Sequence, residues 1–252
     1  MQVSGQVAVM SINGLLTKVI FDHNPDREFY LEESWPLDWM YPYLEPHGLI
    51  MKINRQPLMQ MSEDTIVRDH EYWRKLVAGM LGEWLDERTT PRDVASFVDR
   101  VYVRHDLKDF TGDPRYLRNE YANKTFGKLR GSIAGVYAWR TSTNAPPEFQ
   151  PKSRDESMAL SKETELAFCQ AFALCPYSPE VLSRYVHRLL SLDPRQVQML
   201  LDLPVTANSV RERVDGALLL AETFLKVDPG NSQVKDLLKT IQAYKKVAEG
   251  GE

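Results

Sequence analysis

The residues best suited to binding chemistry surround one aromatic segment, WPLDWMYPYLEPHGLIMKINRQP, which covers residues 35–57. Rigid aromatic rings beside charged groups are a common surface for stacking a sugar or holding a peptide. An exposed segment of this kind predicts a ligand platform. Its candidate ligand-binding residues are Asp38, Trp39, Tyr41, His47 and Arg55.

The same segment also fits a structural role as a rigid clasp between two strands. Trp35, Trp39, Tyr41 and Tyr43 can bury large surfaces at a small entropic cost, and the prolines restrict the path of the backbone. The sequence favours the clasp and leaves the platform as the alternative.

Carboxylates are available nearby for acid–base chemistry on a sugar, since Glu32 and Glu33 precede the segment and Asp38 lies within it. Acids at strand ends and turns most often face water, and that is the interpretation we favour. No residue is assigned a catalytic role, and the chain is not expected to be catalytic by itself.

The sequence lacks the usual motifs of metal-binding and phosphate-binding sites. The five histidines are scattered, no zinc-ligand spacing or calcium loop occurs, and there is no glycine-rich phosphate loop. His70 and His187 are expected to be structural. Cys169 and Cys175 are expected to be buried small apolar residues. We predict no cofactor and no metal.

The composition and net charge of the chain restrict the classes of partner that it can bind. The chain has 252 residues, 43% hydrophobic and 26% charged, with a formal net charge of −4. This composition is typical of a folded globular protein, and the charge disfavours nucleic acid as a partner. No uninterrupted apolar run is long enough to predict a membrane span.

The first sixty residues predict a small α/β module. Apolar residues recur at helical spacing from Gly5 to Phe21, and residues 28–33 and 48–54 are short β-prone runs separated by the aromatic segment. The expected order is helix, strand, aromatic connection, strand.

From Pro57 onward the pattern is helical. Ser62, Thr90 and Asp113 precede the next three helices as caps, and the third is expected to run to about Trp139. The apolar stripe of the first of these contains Ile66, Trp73, Val77, Met80 and Trp84. The later helices are predicted at about 157–174, 179–191, 194–202, 209–227 and 231–247.

The predicted fold class is mainly α with a small N-terminal α/β part and helical hairpins of tetratricopeptide-like type. The predicted regions are an α/β module at 1–60, a helical segment packed on it at 61–140, a proline-bearing linker at 141–157 and helical hairpins at 158–252.

The hairpin prediction depends on two similar stretches. Phe168, Ala171 and Pro176 occupy the large, small and terminating positions of a tetratricopeptide-like second helix, and Ala217 and Pro229 fit the second copy. Phe224 stands where a small residue is usual, and the spacing of the two prolines departs from the regular repeat. The repeats are therefore expected to be degenerate, with an insertion near residues 193–208.

One predicted helix carries glycines and basic residues. Gly127, Gly131 and Gly135 are four residues apart, which predicts close packing against another helix. The basic residues around them are expected to form a solvated face, with an anionic ligand as the alternative. They include Arg115, Arg118, Lys124, Lys128, Arg130 and Arg140.

Three features together resemble a known family: residues 22–58, the run YLRNEYANKTFGKLRGSIAGVYAWR at 116–140, and the helix pairs that follow. They resemble the non-membrane C-terminal part of bacterial multi-pass membrane proteins similar to protein O-mannosyltransferases, which are lipid-sugar-dependent glycosyltransferases. The residues that carry the resemblance are Tyr43, Leu44, Gly48, Leu49 and Pro57, then Leu129 and Arg130. The membrane loop that holds the family's catalytic acid has no counterpart here.

The resemblance implies a non-catalytic accessory or recognition region on the extracytoplasmic side. Its expected partner is a polypeptide, bound through the helical repeats, or a membrane-embedded partner domain. The alternative is a free-standing helical-repeat scaffold for protein–protein interaction in the cytoplasm. An autonomous sugar-handling enzyme is the third hypothesis.

Overall fold

A computed structural model describes residues 5–32, 39–190 and 207–249. Within these ranges the chain is mainly α-helical with a small sheet near the N-terminus, so the predicted mainly α class with a small N-terminal α/β part is confirmed. The strands are β1 Phe29–Leu31, β2 Leu44–His47 and β3 Ile50–Ile53. The helices are α1 Gly5–His23, α2 Glu63–Leu81, α3 Pro91–Val98, α4 Pro114–Leu117, α5 Glu120–Arg140, α6 Arg154–Leu174, α7 Pro179–Leu190, α8 Ala207–Val227 and α9 Ser232–Glu249.

The N-terminal sheet is antiparallel, with strand order β1-β3-β2, and it contains a strand that the sequence analysis placed inside the aromatic connection. That strand is β2, which carries Pro46 opposite Met51. Proline usually argues against a strand because it lacks an N–H donor. It is tolerated here because β2 lies at the edge of the sheet.

The turn between β2 and β3 is a two-residue loop formed by Gly48 and Leu49. Gly48 has a φ of +64°, which the first loop position of a type II′ hairpin turn requires and which glycine adopts without strain. The tight turn fixes the register that buries Leu44, Met51 and Ile53 on one side of the sheet.

The predicted caps of α2 and α3 are confirmed. Ser62 accepts a hydrogen bond from the Thr65 amide, and Thr90 forms a reciprocal capping box with Asp93. The prediction that α2 reaches Trp84 was wrong. The helix ends at Leu81 because Gly82 takes a φ of +92°, which breaks the helical path.

The single helix predicted from Asp113 to Trp139 is two helices. A short turn, α4, ends at Leu117, and Asn119 then caps α5 by accepting a hydrogen bond from the Ala122 amide. The capping residue therefore starts a new helix where the apolar pattern alone suggested continuity.

The central packing of the fold is α5 against α6. Gly127 of α5 lies so close to α6 that an added Cβ would sit 2.6 Å from Cys175 Cβ and 3.2 Å from the Ala171 carbonyl oxygen. Gly131 faces both α6 and α7, and an added Cβ there would lie 3.8 Å from Ala171 Cβ of α6 and 3.6 Å from Val181 Cγ2 of α7. The predicted close helix packing is confirmed at Gly127, whereas Gly131 and Gly135 make only ordinary contacts.

The C-terminal helices follow one another through short connections, from α6 to α7 and from α8 to α9. Phe168, Ala171, Ala217 and Phe224 are all buried, so both helix pairs contribute to the core. The helix predicted at 194–202 lies outside the described residues.

The stretch predicted as a linker, residues 141–157, carries a short 3₁₀ helix at Pro147–Phe149 and a series of local hydrogen bonds. Gln150 donates to the Ala145 carbonyl, and Lys152 donates to the carbonyls of Pro147 and Glu148. These bonds hold the connection between α5 and α6 in a defined path.

The two cysteines are free and buried, as predicted. Burial raises the pKa of the thiols of Cys169 and Cys175 to about 12. Both side chains are therefore neutral apolar packing groups at physiological pH.

Candidate functional site

A cleft of about 810 Å³ lies at the C-terminal end of α2. We call it the α2 groove. It is lined by Arg74, Lys75, Ala78, Gly79, Gly82, Glu83, Trp84 and Thr111. This volume lies within the range of sites that hold small ligands or short stretches of chain.

Ala78, Gly79 and Gly82 form the side of the α2 groove that we call its floor. Backbone is exposed there at Gly79, whereas Gly82 is buried beneath Thr111. Nothing lies within 4 Å of the position that a Cβ at Gly79 would take. At Gly82 a Cβ would collide with Thr111 Oγ1, and the positive φ also requires glycine. Glycine is therefore required at Gly82, whereas a side chain would fit at Gly79.

Trp84 forms an aromatic wall of the groove and is held in place from behind. Its ring stacks on Phe97 with a centroid distance of 4.4 Å, and its Nε1 donates to the Leu81 carbonyl at 3.2 Å. The ring is thus fixed before any ligand arrives, and one part of it remains exposed.

Charges of both signs line the rim. Arg74 donates to Glu71 at 3.1 Å, and this hydrogen bond lowers the pKa of the Glu71 carboxyl. Lys75 and Glu83 complete the rim. The groove is lined by two basic side chains and one acidic side chain, so it can pair with polar groups of either charge.

A second polar feature is enclosed in the core between α2, α5 and α6. Arg130 is fully buried and donates to Asp69 Oδ2 at 2.8 Å, to Glu163 Oε1 at 2.6 Å and to Gln170 Oε1 at 2.7 Å. Tyr137 adds a hydrogen bond to Asp69 at 2.9 Å. We call these five side chains the Arg130 network.

The electrostatics of the network follow from burial and pairing. Burial raises the pKa of Asp69, against the attraction of Arg130. At Glu163 burial acts in the same direction, but hydrogen bonds from His70 and Arg130 outweigh it and lower the pKa. Each buried carboxylate therefore faces the guanidinium, and the network ties three helices together.

His70 connects the network to the surface. Its Nδ1 lies 2.9 Å from Glu163 Oε2, and its Nε2 lies 3.9 Å from Glu87 Oε1. The hydrogen bond with Glu163 raises the pKa of His70 above its ordinary value. His70 also lines a smaller cleft of about 360 Å³, with Arg74, Leu85, Asp86, Glu87, Arg88 and Leu166.

The structure separates the predicted ligand residues into different places. Arg55 lies over the rings of Phe21 and Phe29 and donates to the backbone carbonyls of Phe21, Asn24 and Arg27, which ties the end of α1 to the sheet. Trp39 belongs to the same cluster, with ring centroids 6.1 Å from Phe21.

The other predicted residues lie elsewhere. Tyr41 stacks on Trp139 of α5 at 5.3 Å, and exposed His47 lies beside Tyr30 at 5.2 Å. Asp38 and Trp35 fall outside the described residues. Trp39 and Arg55 are thus brought together in one packed cluster, while Tyr41 and His47 are not part of it.

Sequence reasoning missed the Arg130 network because it assigned charged residues to solvent. The expected solvated basic face of α5 was wrong for Arg130 and Arg140, which are both buried. A signal existed in α2, where Asp69 stands four residues from both Thr65 and Trp73 on the buried face. A charged residue at a core position usually has a buried partner of opposite charge.

No family of known proteins, no curated protein and no solved structure matched this chain. Among the described residues, no helix is both long enough and apolar enough to cross a membrane. Within the same residues, no cluster of three or more His, Cys, Asp or Glu side chains has an arrangement that could hold a metal ion.

Proposed function

We propose that this chain is a non-catalytic recognition module that binds a segment of polypeptide in the α2 groove. The observation that carries the proposal is the construction of the groove, in which a flat glycine-containing floor, a fixed tryptophan wall and a rim of mixed charge surround about 810 Å³. Each part suits a feature of a peptide.

The floor suits a peptide backbone, because glycine and alanine allow close approach of another main chain. Trp84 offers a rigid surface for an apolar or aromatic side chain of the peptide, and such anchors commonly dominate binding energy. Arg74, Lys75 and Glu83 can pair with the polar groups that flank the anchor.

The helices behind the groove act as its support in this proposal. α2 packs on α6 through the Arg130 network, and α6 begins the C-terminal helix pairs that we interpret as degenerate tetratricopeptide-like hairpins. Stacked hairpins of this kind give a rigid frame, which keeps the entropic cost of binding low.

The resemblance to the non-membrane part of O-mannosyltransferase-like proteins supports a location for this module beside a membrane-embedded partner. There it serves as an accessory region that presents a polypeptide to a membrane-embedded partner domain. The DNA upstream of codon 1 tests this setting, because a reading frame for membrane helices would support it. An independent start with its own ribosome site would favour a free-standing scaffold instead.

Binding of a library of labelled peptides, measured in solution by fluorescence polarisation, tests the groove directly. Gly79→Leu places a side chain over the floor, where the wild-type protein has open space, and leucine is also a better helix former than glycine. We expect this variant to lose peptide binding at least about tenfold while its stability stays equal or rises. Loss of binding therefore cannot be attributed to unfolding.

The matched control is Arg88→Glu, at an exposed residue that does not line the α2 groove. It should retain binding of the same peptides. Equal binding by wild type and Gly79→Leu would contradict the groove as the peptide site.

A further inference from the structure

Helix α1 carries an exposed apolar stripe on the side away from its buried residues. Gly14 and Phe21 are buried on one side of the helix. On the other side, five large apolar side chains are between 53% and 67% exposed. They are Ile12, Leu15, Leu16, Val19 and Ile20, and we call them the α1 stripe.

The spacing of the α1 stripe is that of a helix-pairing surface. Its residues follow the i, i+3, i+4, i+7, i+8 pattern, which places them on one continuous face. Val9 continues the same spacing in the sequence. An exposed apolar face of this regularity is unusual in a protein without a partner at that face.

We infer that a second copy of this chain covers the α1 stripe, with the two α1 helices packed antiparallel. The absence of charge on most of α1 favours pairing with a second copy. Residues 5–17 contain no Asp, Glu, Lys or Arg, so two copies bring no like charges together. The nearby Lys18 is already paired with Asp22 at 2.6 Å.

The attachment of α1 to the rest of the fold favours the antiparallel orientation. The last turn of α1 is anchored to the fold through Phe21, which packs on Phe29 and Tyr43. A parallel pair would bring two folded bodies to the same end of the helices. An antiparallel pair puts them at opposite ends, and it also lets the two helix dipoles attract each other.

The apolar area of the α1 stripe indicates how strong the dimer should be. The five side chains offer roughly 400–500 Å² of apolar surface per copy, so that a pair buries about 800–1,000 Å². This value is below the roughly 1,200–2,000 Å² of stable specific interfaces and falls in the range of weak, transient ones. The expected complex is therefore a weak dimer with a Kd on the order of 1–100 μM.

A lipid surface fits the stripe less well. Helices that lie in a membrane interface usually carry lysine and arginine beside the apolar face, which attract anionic headgroups. The only basic side chain of α1 before its final residue is Lys18, and its charge is met by Asp22.

Sedimentation velocity over a wide range of protein concentration tests the dimer. The wild type should shift from monomer to dimer as concentration rises, and Leu16→Glu should stay monomeric at every concentration. Val67→Glu is the matched control, because Val67 is equally exposed on α2 but lies outside the stripe. It should dimerise like the wild type.

Cysteine cross-linking with a short bismaleimide tests the geometry, and the native cysteines are buried and give little background. In an antiparallel pair centred on Leu16, position 12 faces position 20. Ile12→Cys mixed with Ile20→Cys should cross-link strongly, and Ile12→Cys alone should not.

Three results would overturn the inference. They are a monomer at all concentrations, a strong cross-link of Ile12→Cys to itself, or stripe-dependent co-sedimentation with phosphatidylcholine–phosphatidylglycerol vesicles by a protein that stays monomeric.

Discussion

At the scale of single residues, Arg130 has the most demanding environment in the described part of the chain. A guanidinium withdrawn from water loses its hydration, and it is tolerated only when carboxylates and hydrogen-bond acceptors replace that hydration. Asp69, Glu163 and Gln170 supply these acceptors, and the ring of Trp73 lies 5.2 Å from the guanidinium carbon. The role of these acids is therefore to hold α2, α5 and α6 together.

Arg130→Met should lower the free energy of unfolding by about 3–5 kcal/mol, because Asp69 and Glu163 would remain buried without their counter-charge. Urea unfolding followed by circular dichroism measures the change. The triple variant Arg130→Met, Asp69→Leu, Glu163→Leu removes all three charges and should recover most of the loss. A loss below about 1 kcal/mol for the single variant would show that the network is not buried as described.

His70 makes part of the stability depend on pH. Its hydrogen bond with Glu163 raises its folded-state pKa above the unfolded value near 6.5. A group with a raised pKa contributes fully below the unfolded pKa, and its contribution is lost as pH rises through the folded pKa.

We therefore expect wild type to exceed His70→Gln in stability by about 1 kcal/mol at about pH 5.5, with the difference shrinking by about pH 9. Paired urea titrations at the two pH values measure it. His70→Gln in a Glu163→Gln background is the control and should show a smaller trend, because the carboxylate that raises the pKa of His70 is absent there. A difference that grows with pH would contradict the assignment.

At the scale of elements, the distance between α5 and α6 is set by one glycine. An added methyl group at Gly127 would meet Cys175 Cβ at 2.6 Å, and backbone of α6 blocks relaxation nearby. Gly127→Ala should therefore cost about 1–3 kcal/mol even though alanine is the better helix former. Gly131→Ala is the matched control, because its new methyl would find ordinary contacts at 3.6 Å and 3.8 Å. It should be neutral or stabilising, and thermal unfolding of both variants separates packing from helix propensity.

Most helices could be predicted from the sequence because their caps and apolar spacing are local signals. Ser62 and Thr90 start α2 and α3 as expected, since a capping side chain acts within three residues. Strand β2 was missed because Pro46 is a local signal against a strand, and only its edge position in the finished sheet makes it acceptable. The Arg130 network was missed for the same kind of reason, because Asp69 and Glu163 are 94 residues apart in numbering and meet only after folding.

The α2 groove could not be predicted either. Gly79, Gly82 and Trp84 are close in sequence, but the wall also needs Thr111 from a distant loop. The hydrophobic pattern placed Trp84 on the buried stripe of a longer helix. The turn at Gly82 instead moves it to the wall of the α2 groove.

At the scale of the whole molecule, the N-terminal sheet and the helices are joined by contacts of several kinds. Tyr41 stacks on Trp139, and Glu45 of β2 accepts a hydrogen bond from Thr65 of α2 at 2.8 Å. Arg140 at the end of α5 donates to the carbonyls of Leu58 and Pro42 at 3.0 Å and 3.4 Å. Buried Leu44 and Met51 complete this boundary. We expect the N-terminal sheet and the helices to unfold in one transition, because separating them would expose the apolar surface that is buried between them.

Arg140 tests this coupling, because burial lowers its pKa to about 10 and backbone carbonyls are its described acceptors. Arg140→Met removes the donor to the Leu58 carbonyl, while the Pro42 carbonyl keeps the Leu58 amide at 2.8 Å, and we expect a loss of about 1–3 kcal/mol. Amide hydrogen exchange should accelerate first in residues 44–53, nearest the broken link, and least in residues 207–249. Arg118→Met, at an exposed arginine, should leave the exchange pattern unchanged. Uniform acceleration across both regions would instead mean that Arg140 stabilises the fold as a whole and does not serve as a local link between sheet and helices.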